Sequence, residues 1–168
     1  MSIEKELFEE LKNYVTYDRE QGRVFWSVSP GGRAKVGDEI GSVNNNGYRR
    51  VRFKGCRCQV HRFIYWLETG TLPKFVDHKN NCRTDNRFCN LRECTLQQNN
   101  QNRKRCSSNT TGYKGVWLLN GNLKKPYRAV ISMNGKALHL GCFPTLEEAH
   151  AAYCAKAKEL HGEFANFG

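Results

Sequence analysis

The pattern of apolar and polar positions predicts short helices and strands joined by turns. Residues 3–15 carry apolar side chains at helical spacing and predict one amphipathic helix. Its apolar stripe consists of Ile3, Leu7, Phe8, Leu11 and Tyr14. Residues 48–54 alternate instead, with Val51 and Phe53 on one face and basic side chains on the other, as in a strand. That basic face fits either a solvated sheet surface or a strand that follows phosphates.

Turn residues and helix-ending signals define further elements of the N-terminal part. Residues 24–28 and 40–43 are strand-like, and turns rich in Pro, Gly and Asn separate them from their neighbours. Residues 61–69 predict a helix that Gly70 ends. The sequence therefore predicts a β-rich N-terminal platform, with the first helix, over residues 1–55.

A strand–loop–strand–helix segment comes next. Residues 75–78 and 90–94 predict two short strands around a polar loop. Thr95-Leu96-Gln97-Gln98 is a capping box, so a helix should begin there and end in a basic run. The run is Arg103, Lys104 and Arg105. Residues 56–105 thus form one predicted unit, and the polar segment 106–112 is a predicted linker.

Residues 113–168 predict a three-stranded antiparallel sheet followed by a helix. The strands are residues 113–119, 127–132 and 136–143. Asn134-Gly135 is a strong two-residue hairpin turn between the last two strands. A second capping box at Thr145 starts the helix, and Gly162 ends it after His161. The expected fold class is α+β.

The charge of the chain indicates a polyanionic partner. The 168 residues include 27 Lys and Arg against 16 Asp and Glu, for a formal net charge of +11. No Asp or Glu occurs from Cys94 to Leu146, although that span is rich in basic residues. They are Arg103, Lys104, Arg105, Lys114, Lys124, Lys125, Arg128 and Lys136. Nucleic acid is the expected partner, bound mainly by the C-terminal half.

The sequence predicts a cytoplasmic protein. No apolar run approaches the roughly 20 residues that a membrane span requires. The N-terminal segment is acidic and lacks an apolar stretch, so a secretory signal is not expected. In the cytoplasm the eight cysteines should be reduced thiols or metal ligands.

The cysteines give only a weak zinc signal. Five of them are candidates: Cys56, Cys58, Cys82, Cys89 and Cys94. Tetrahedral zinc usually uses closely paired ligands, whereas here one Cys-x-Cys pair has scattered partners. Alternation in a hairpin would place Cys56 and Cys58 on the same face. Structural Zn²⁺ is therefore not expected, and Cys142 and Cys154 are predicted to be small core residues.

Asp77, His78 and Asn99 are the strongest candidates for chemistry on a phosphodiester. Asp77 and His78 end a predicted strand, and Asn99 lies in the first turn of the helix after it. Carboxylate and amide oxygens suit Mg²⁺ and leave positions for water and phosphate. A neutral His78 can act as a general base on water. The plain alternative is a polar surface loop, and asparagines near helix starts often cap backbone groups.

Four stretches of this region carry a family resemblance. They are Val76-Asp77-His78, Asp85-Asn86-Arg87, Asn90-Leu91-Arg92 and Thr95-Leu96-Gln97-Gln98-Asn99. Together they resemble the motif of HNH endonucleases, above all the free-standing phage and intron-encoded homing endonucleases. The resemblance implies a ββα-metal unit in which His78 is the general base and Asp77 and Asn99 hold Mg²⁺ or Mn²⁺. It also implies that Asn90 braces the loop and keeps His78 in register.

The resemblance extends upstream of the motif. It includes Tyr17-Asp18, Gly22, Trp26, Asn46-Gly47-Tyr48 and Val60-His61-Arg62. The family often has an Asp-Gly loop after its Asp-His pair, where this chain has Lys79-Asn80-Asn81-Cys82, but no expected functional side chain is lost. Asn100 and Asn102 could compete with Asn99, which is the position that matches the motif. His61 is expected to be structural or phosphate-facing rather than catalytic.

The C-terminal part carries a second resemblance. Its stretches are Tyr113-Lys114-Gly115-Val116, Leu138–Phe143 and Ala165-Asn166-Phe167. They are similar to the plant Apetala-two/ethylene-response-factor domain, which lays a three-stranded sheet in the major groove. This implies DNA-facing side chains at Lys114, Trp117, Arg128 and His139, and the basic run adds further contacts. The plant domains have more arginines on this sheet, so sequence preference does not transfer. Core packing is the alternative for Trp117 and Tyr127.

The resulting prediction is a monomeric, metal-dependent HNH endonuclease that cuts double-stranded DNA. The C-terminal sheet would set register and affinity, and the location would be the host cytoplasm if a phage encodes the protein. One alternative is a DNA-binding regulator with an inert HNH unit. The other is a zinc-stabilised structural module.

Overall fold

Two compact units make up the chain. The computed structural model describes residues 3–133 and 135–168. The first unit is Met1–Thr95 and the second is Leu96–Gly168. The division falls within the predicted unit 56–105, and the predicted domain boundaries remain predictions.

The first unit is built of short helices and antiparallel strands. Its helices are α1 (Ile3–Leu11) and α2 (Val60–Thr69). Its strands are β1 (Val15–Asp18), β2 (Arg23–Trp26), β3 (Ser42–Val43), β4 (Arg49–Phe53), β5 (Cys56–Gln59), β6 (Phe75–His78) and β7 (Leu91–Cys94). Short 3₁₀ turns lie at Lys12–Tyr14 and at Phe88–Asn90. The strands pair as β1–β2, β3–β4–β5 and β6–β7.

The predicted N-terminal helix is shorter than expected. It ends at Leu11 because residues 15–18 pair with β2 as β1. The β-branched Val15 and Thr16 favour this extended backbone. Phe8 and Leu11 of the predicted stripe are fully buried, whereas Ile3, at its N-terminal end, is 77% exposed.

The core of the first unit fixes the β6–β7 hairpin against α2. Phe63 of α2 meets Phe8 of α1 edge to face, with ring centroids 5.2 Å apart. Val76 of β6 and Leu91 of β7 belong to the same buried cluster. Gly70 ends α2 with φ of 67° and donates its N–H to the carbonyl of Trp66, as predicted. A rigid frame therefore supports the hairpin.

Alternation along β4 is confirmed. Val51 and Phe53 are buried, whereas Arg50 and Arg52 are exposed. Lys54, at the end of the strand, pairs with Glu10. A phosphate-following role for this basic face remains a prediction.

The second unit contains a three-stranded antiparallel sheet packed against a helix. Its strands are β8 (Val116–Leu118), β9 (Tyr127–Met133) and β10 (Lys136–Phe143), in the order β10–β9–β8. Its helices are α3 (Leu96–Gln101) and α4 (Leu146–His161). The predicted α+β class and C-terminal sheet plus helix are confirmed. Asn134 of the predicted hairpin turn lies outside the described residues.

Helix α4 has the predicted limits because its end signals are local. Thr145 Oγ1 accepts a hydrogen bond from the Glu148 N–H at 3.2 Å, and Gly162 follows the last turn. One face of the sheet covers α4, through Ala129 and Ile131 of β9. The opposite face, here called the outer face, points away from α4.

The segment predicted to be a linker is held to the sheet. The amide Nδ2 of Asn109 donates to the carbonyls of Tyr113 (3.0 Å) and Val116 (2.9 Å). Its Oδ1 accepts from the Gly112 N–H at 3.0 Å. Asn109 is buried, so its amide meets its hydrogen-bonding needs within the chain.

Candidate active site

The β6–β7 hairpin presents Asp77 and His78 at the end of its first strand. Asp77 lies opposite Arg92 in the register, and His78 lies opposite Leu91. Adjacent side chains in a strand point to opposite faces, so the carboxylate and the imidazole leave the hairpin in different directions. Both are buried, at 6% and 3% exposure.

Asp77 forms an ion pair with Arg92. Its Oδ2 accepts from Arg92 Nη2 at 2.9 Å and from Nε at 3.0 Å. Both side chains are nearly inaccessible, at 7% and 10% exposure. A buried pair of this kind fixes the carboxylate in place.

His78 is oriented by a buried amide and packed among rings. Its Nε2 lies 3.0 Å from Oδ1 of Asn86, which is itself 3% exposed. An amide oxygen can only accept, so Nε2 carries the proton and the lone pair of the neutral ring lies on Nδ1. The rings of His61 and Tyr48 lie 4.9 and 5.9 Å from His78, centroid to centroid.

The environment keeps His78 neutral. Burial lowers the pKa of His78 below its usual value, and the hydrogen bond to Asn86 and the charge of Asp77 act in the opposite direction. A neutral imidazole at physiological pH is the form that can accept a proton.

Asn90 ties together the loop that links the two strands. Its Oδ1 accepts from the Asn80 N–H at 3.0 Å, and its Nδ2 donates to the carbonyl of Asp85 at 2.8 Å. Its backbone carbonyl also accepts from the Lys79 N–H at 2.8 Å. Loss of this side chain would release both ends of the loop at once.

Asp85 and Arg87 stiffen the far side of the same loop. Arg87 donates through Nε and Nη2 to the two carboxylate oxygens of Asp85, both at 2.7 Å. The hydrogen bonds from Arg87 hold the pKa of Asp85 at about 2. Asn86, which orients His78, lies between these two residues.

Gly22 allows the β1–β2 turn to lie against this loop. Its φ is +65°, and a Cβ added there would lie 2.2 Å from the backbone nitrogen of Arg87 and 2.4 Å from the carbonyl carbon of Asn86. The glycine of the upstream resemblance therefore has a physical role, since only glycine fits the turn and the contact.

Gly22→Ala is expected to lower the free energy of unfolding by roughly 2–4 kcal/mol, from backbone strain plus overpacking. Urea denaturation measures this. The matched control is Gly55→Ala, where φ is +80° and no atom lies within 4 Å of the added Cβ. An equal loss in the two variants would contradict the role of the close contact.

His61 is a buried neighbour of His78. It is 3% exposed, lies in the first turn of α2 and stacks 5.3 Å from the ring of Tyr48. Its burial fits the structural part of the expectation and not a phosphate-facing one. Burial lowers the pKa of His61 to about 3.

The low pKa of His61 predicts acid sensitivity. The pKa of His61 is lower in the folded state than in the unfolded state. Its contribution to the free energy of unfolding is therefore complete above about pH 6.5 and is lost as pH falls towards 3. In that window His61 alone should lower the free energy of unfolding by up to about 1.4 kcal/mol for each pH unit of acidification. Urea denaturation at pH 7.5 and 5.0 should show a smaller pH-dependent loss for His61→Gln than for the wild type. Equal losses would contradict it.

The second unit holds the remaining predicted site residues. Asn99 lies in α3. The basic run Arg103–Arg105 is exposed and follows α3 as extended chain, not as its last turn. The role of Asn99 as a metal ligand and the DNA contacts of the basic run remain predictions.

Lys114 has a structural contact that the sequence did not indicate. Its Nζ donates to the carbonyls of Arg103 (2.6 Å) and Gln101 (3.0 Å), at the end of α3. Burial lowers the pKa of Lys114 to about 8. A cation at a helix C-terminus is favourable, so Lys114 fastens α3 to the sheet. Its role towards DNA stays a prediction.

The other three DNA-facing candidates share the outer face. Trp117 lies opposite Arg128 in the register, and His139 lies opposite Val130. Trp117 is 41% exposed, so the alternative of core packing does not apply to it. Arg128 and His139 line a depression of about 360 Å³ on this face.

Two cysteine expectations are also resolved. Cys142 is not a core residue, since it lies opposite Arg128 on the outer face with Sγ 3.7 Å from His139 Nε2. Cys154 is partly buried beside the core of α4, as predicted.

The candidate site fits a hard divalent cation rather than zinc. Within the described ranges, no group of three or more His, Cys, Asp or Glu side chains could hold a metal. Asp77 supplies one buried carboxylate, whose Oδ2 accepts from Arg92. Mg²⁺ binds proteins through one or two oxygen ligands and keeps several waters, so this sparse donor set suits it.

Two residues of the site had no role assigned from the sequence. Asn86 orients His78, and Arg92 pairs with Asp77. Both stood in the quoted motif stretches. Their place as polar residues inside these motif stretches is the sequence signal that could have identified them.

The comparisons with known proteins concern the same region. Residues 58–101 match the family described as HNH endonuclease. An uncharacterized HNH endonuclease of Acanthamoeba polyphaga mimivirus is 38% identical over 126 residues, which cover 73% of this chain. This alignment covers 63% of the mimivirus protein.

A second relative is Protein 3.8 of Escherichia phage T7. It is 29% identical over 110 residues, covering 64% of this chain and 88% of the phage protein. No solved structure matches the chain significantly. Across residues 3–133 and 135–168, no helix has the length and apolar character needed to cross a membrane.

The family match and the site geometry agree. The matched segment contains the whole β6–β7 hairpin, with Asp77, His78 and the bracing Asn90. The relatives found are viral. Residues 58–101 of this chain therefore match the HNH endonuclease family over the segment that carries the candidate site.

Proposed function

We propose that this protein is a metal-dependent DNA endonuclease that hydrolyses phosphodiester bonds. The observation that carries the proposal is the buried, neutral imidazole of His78, oriented by Asn86 beside the fixed carboxylate of Asp77. A general base must be neutral, aimed and close to the charge that develops. The match of residues 58–101 to the HNH endonuclease family supports the reaction class that such a pair would serve.

His78 takes the proton in the proposed reaction. As water attacks phosphorus, its proton passes to Nδ1 of His78, while Asn86 stabilises the charged ring through Nε2. The bond from phosphorus to the 3′ oxygen breaks, leaving a 5′-phosphate and a 3′-hydroxyl once that oxygen is protonated. The loop contacts of Asn90 keep His78 in register throughout.

Asp77 and, by the family resemblance, Asn99 would hold a divalent cation such as Mg²⁺ or Mn²⁺, which supplies charge neutralisation on the phosphate and the leaving oxygen. The ββα-metal arrangement belongs to this proposal.

Plasmid nicking tests the proposed function. Supercoiled DNA is incubated with the protein in Mg²⁺, in Mn²⁺ and in EDTA, and relaxed and linear products are separated on a gel. Nicking that requires the metal supports the proposal, and the ratio of relaxed to linear DNA reports one- or two-strand cutting. Absence of nicking in every divalent metal would refute it.

A DNA-binding regulator with an inert HNH unit is the second candidate. The Asp77–Arg92 ion pair favours it, because Arg92 takes an oxygen that a cation could use. The two functions differ in cleavage and share the DNA-binding sheet.

The outer face of the C-terminal sheet is the proposed DNA-binding surface. Trp117, Arg128 and His139 share that face, opposite α4. The similarity to the plant DNA-binding domain and the absence of acidic residues over 94–146 support it.

Arg128→Gln is expected to weaken DNA binding and to reduce the slope of log affinity against log salt by about one, because one phosphate contact is lost. Fluorescence anisotropy with a labelled duplex from 50 to about 200 mM salt measures both. Lys158→Gln is the matched control, since it removes the same charge from an exposed position on α4. Identical slopes for the two variants would contradict the assignment.

A further inference from the structure

A groove in the second unit lies next to the outer-face depression, and Val130 lines both. Its volume is about 690 Å³, and every residue that lines it belongs to Leu96–Gly168. One wall comes from α3 and the chain after it, and the other from β9 and α4. This volume lies in the range of pockets that hold small organic ligands. Asn99 does not line the groove.

His161 is a buried polar group that lines the groove. It is 8% exposed, and neither ring nitrogen makes a hydrogen bond of normal geometry. Burial lowers the pKa of His161, and a hydrogen bond with the backbone of Ser132 acts in the opposite direction. Buried polar groups normally have well-formed hydrogen bonds, so a ring that lacks one and lines a cavity points to a ligand.

The hydrogen-bonding capacity of His161 is mixed. A neutral imidazole offers one donor and one acceptor, which is what the edge of a nucleobase also presents. Tyr153 and Ile131 provide an apolar surface beside it, and Trp117 presents a partly exposed indole. Flat aromatic surfaces bind bases by stacking, without regard to sequence.

The rim of the groove is basic. Lys104 and Arg105 are exposed there, and Lys114 lies within the lining. No acidic residue lines the groove. The site therefore combines an anion-binding rim with a floor suited to a base.

We propose that this groove binds one nucleotide, with its phosphate at Lys104 and Arg105 and the edge of its base at His161. The proposal rests on the proposed action on DNA and deepens it. The nucleotide is either a unit that has left the stack of a bound DNA strand or a free nucleoside monophosphate. An unstacked nucleotide would give the second unit of the protein a contact with DNA in addition to the backbone contacts of its sheet.

Binding experiments in EDTA test the proposal without any dependence on cleavage. The probes are a single-stranded 12-nucleotide DNA of mixed sequence containing 5-iodouracil, the matching duplex, and dAMP alone. Affinity is measured by anisotropy, and cross-linked residues are mapped by mass spectrometry. Nicking is assayed separately in Mg²⁺, so failure of the endonuclease proposal and failure of this one are distinguishable.

The expected result is a cross-link to Tyr153 or His161, with loss of single-strand affinity by about tenfold or more in His161→Leu. The double variant Lys104→Gln, Arg105→Gln should lose affinity similarly, while Lys158→Gln should not. If dAMP shifts the His161 ring resonances, the groove binds free nucleotides. If only the DNA strand shifts these resonances, the groove binds an unstacked nucleotide of the strand.

Two controls keep the test decisive. Circular dichroism melting checks that His161→Leu is folded; if it is not, the ring resonances of His161 in the wild type provide the answer. Unchanged resonances with both dAMP and DNA, unchanged affinity in the rim variant, or cross-links confined to Arg128 and His139 would overturn the proposal.

Discussion

Replacing His78 by alanine is expected to lower the rate of plasmid nicking by about 10²- to 10⁴-fold, the usual range for loss of a general base. The imidazole is 3% exposed and is held at Nε2 by Asn86. Because the position is buried, we expect no side chain from the surface to act as the base in the variant. DNA affinity should be unchanged, because the proposed DNA-binding residues lie in the second unit. Initial nicking rates at saturating protein measure the effect.

A control must separate chemistry from folding. His78→Ala removes a ring from a buried cluster and should lower stability, so nicking is compared at a temperature where circular dichroism shows both proteins folded. Asn86→Ala keeps the imidazole but removes its orienting acceptor, and it should reduce the rate less than His78→Ala does. If nicking by His78→Ala matches the wild type, His78 is not the base.

The elements of the second unit were largely predictable because their signals are local. The capping box at Thr145 and the stop at Gly162 fix α4 within the sequence itself. Strand β9 alternates, with Ala129 and Ile131 towards the helix.

Elements that depend on distant pairing were less predictable. The predicted helix includes Val15, which instead begins β1 and pairs with β2. α3 stops at Gln101, before the basic run, where Lys114 captures the free carbonyls at its end. Neither pairing can be read from local propensity.

The roles of the candidate site residues stay predictions, and their contacts could not be predicted from the sequence. Asp77, His78 and Asn90 were identified from motif and chemistry. The bond from Asn86 to His78 spans eight residues, and the pair of Arg92 with Asp77 spans fifteen. Those partners depend on the loop conformation and the strand register, which the spacing of the residues does not specify.

The Asp77–Arg92 pair should give the second large effect. Asp77→Asn removes the carboxylate from a guanidinium that is 10% exposed, and breaking a buried pair in this way costs roughly 3–5 kcal/mol. If Asp77 also holds the cation, the variant should lose nicking as well, and more Mn²⁺ should restore it only in part. Urea denaturation and nicking as a function of metal concentration measure the two losses.

Arg92→Met separates the two roles of Asp77. This variant keeps the carboxylate and removes its partner, so stability should again fall, because a buried charge then lacks its compensation. Where Asp77 serves as a metal ligand, removal of the competing guanidinium leaves Oδ2 open to a cation. Metal should then raise the stability of Arg92→Met but not that of Asp77→Asn. If metal stabilises neither variant and nicking survives in Asp77→Asn, Asp77 is a structural residue and the cation binds elsewhere.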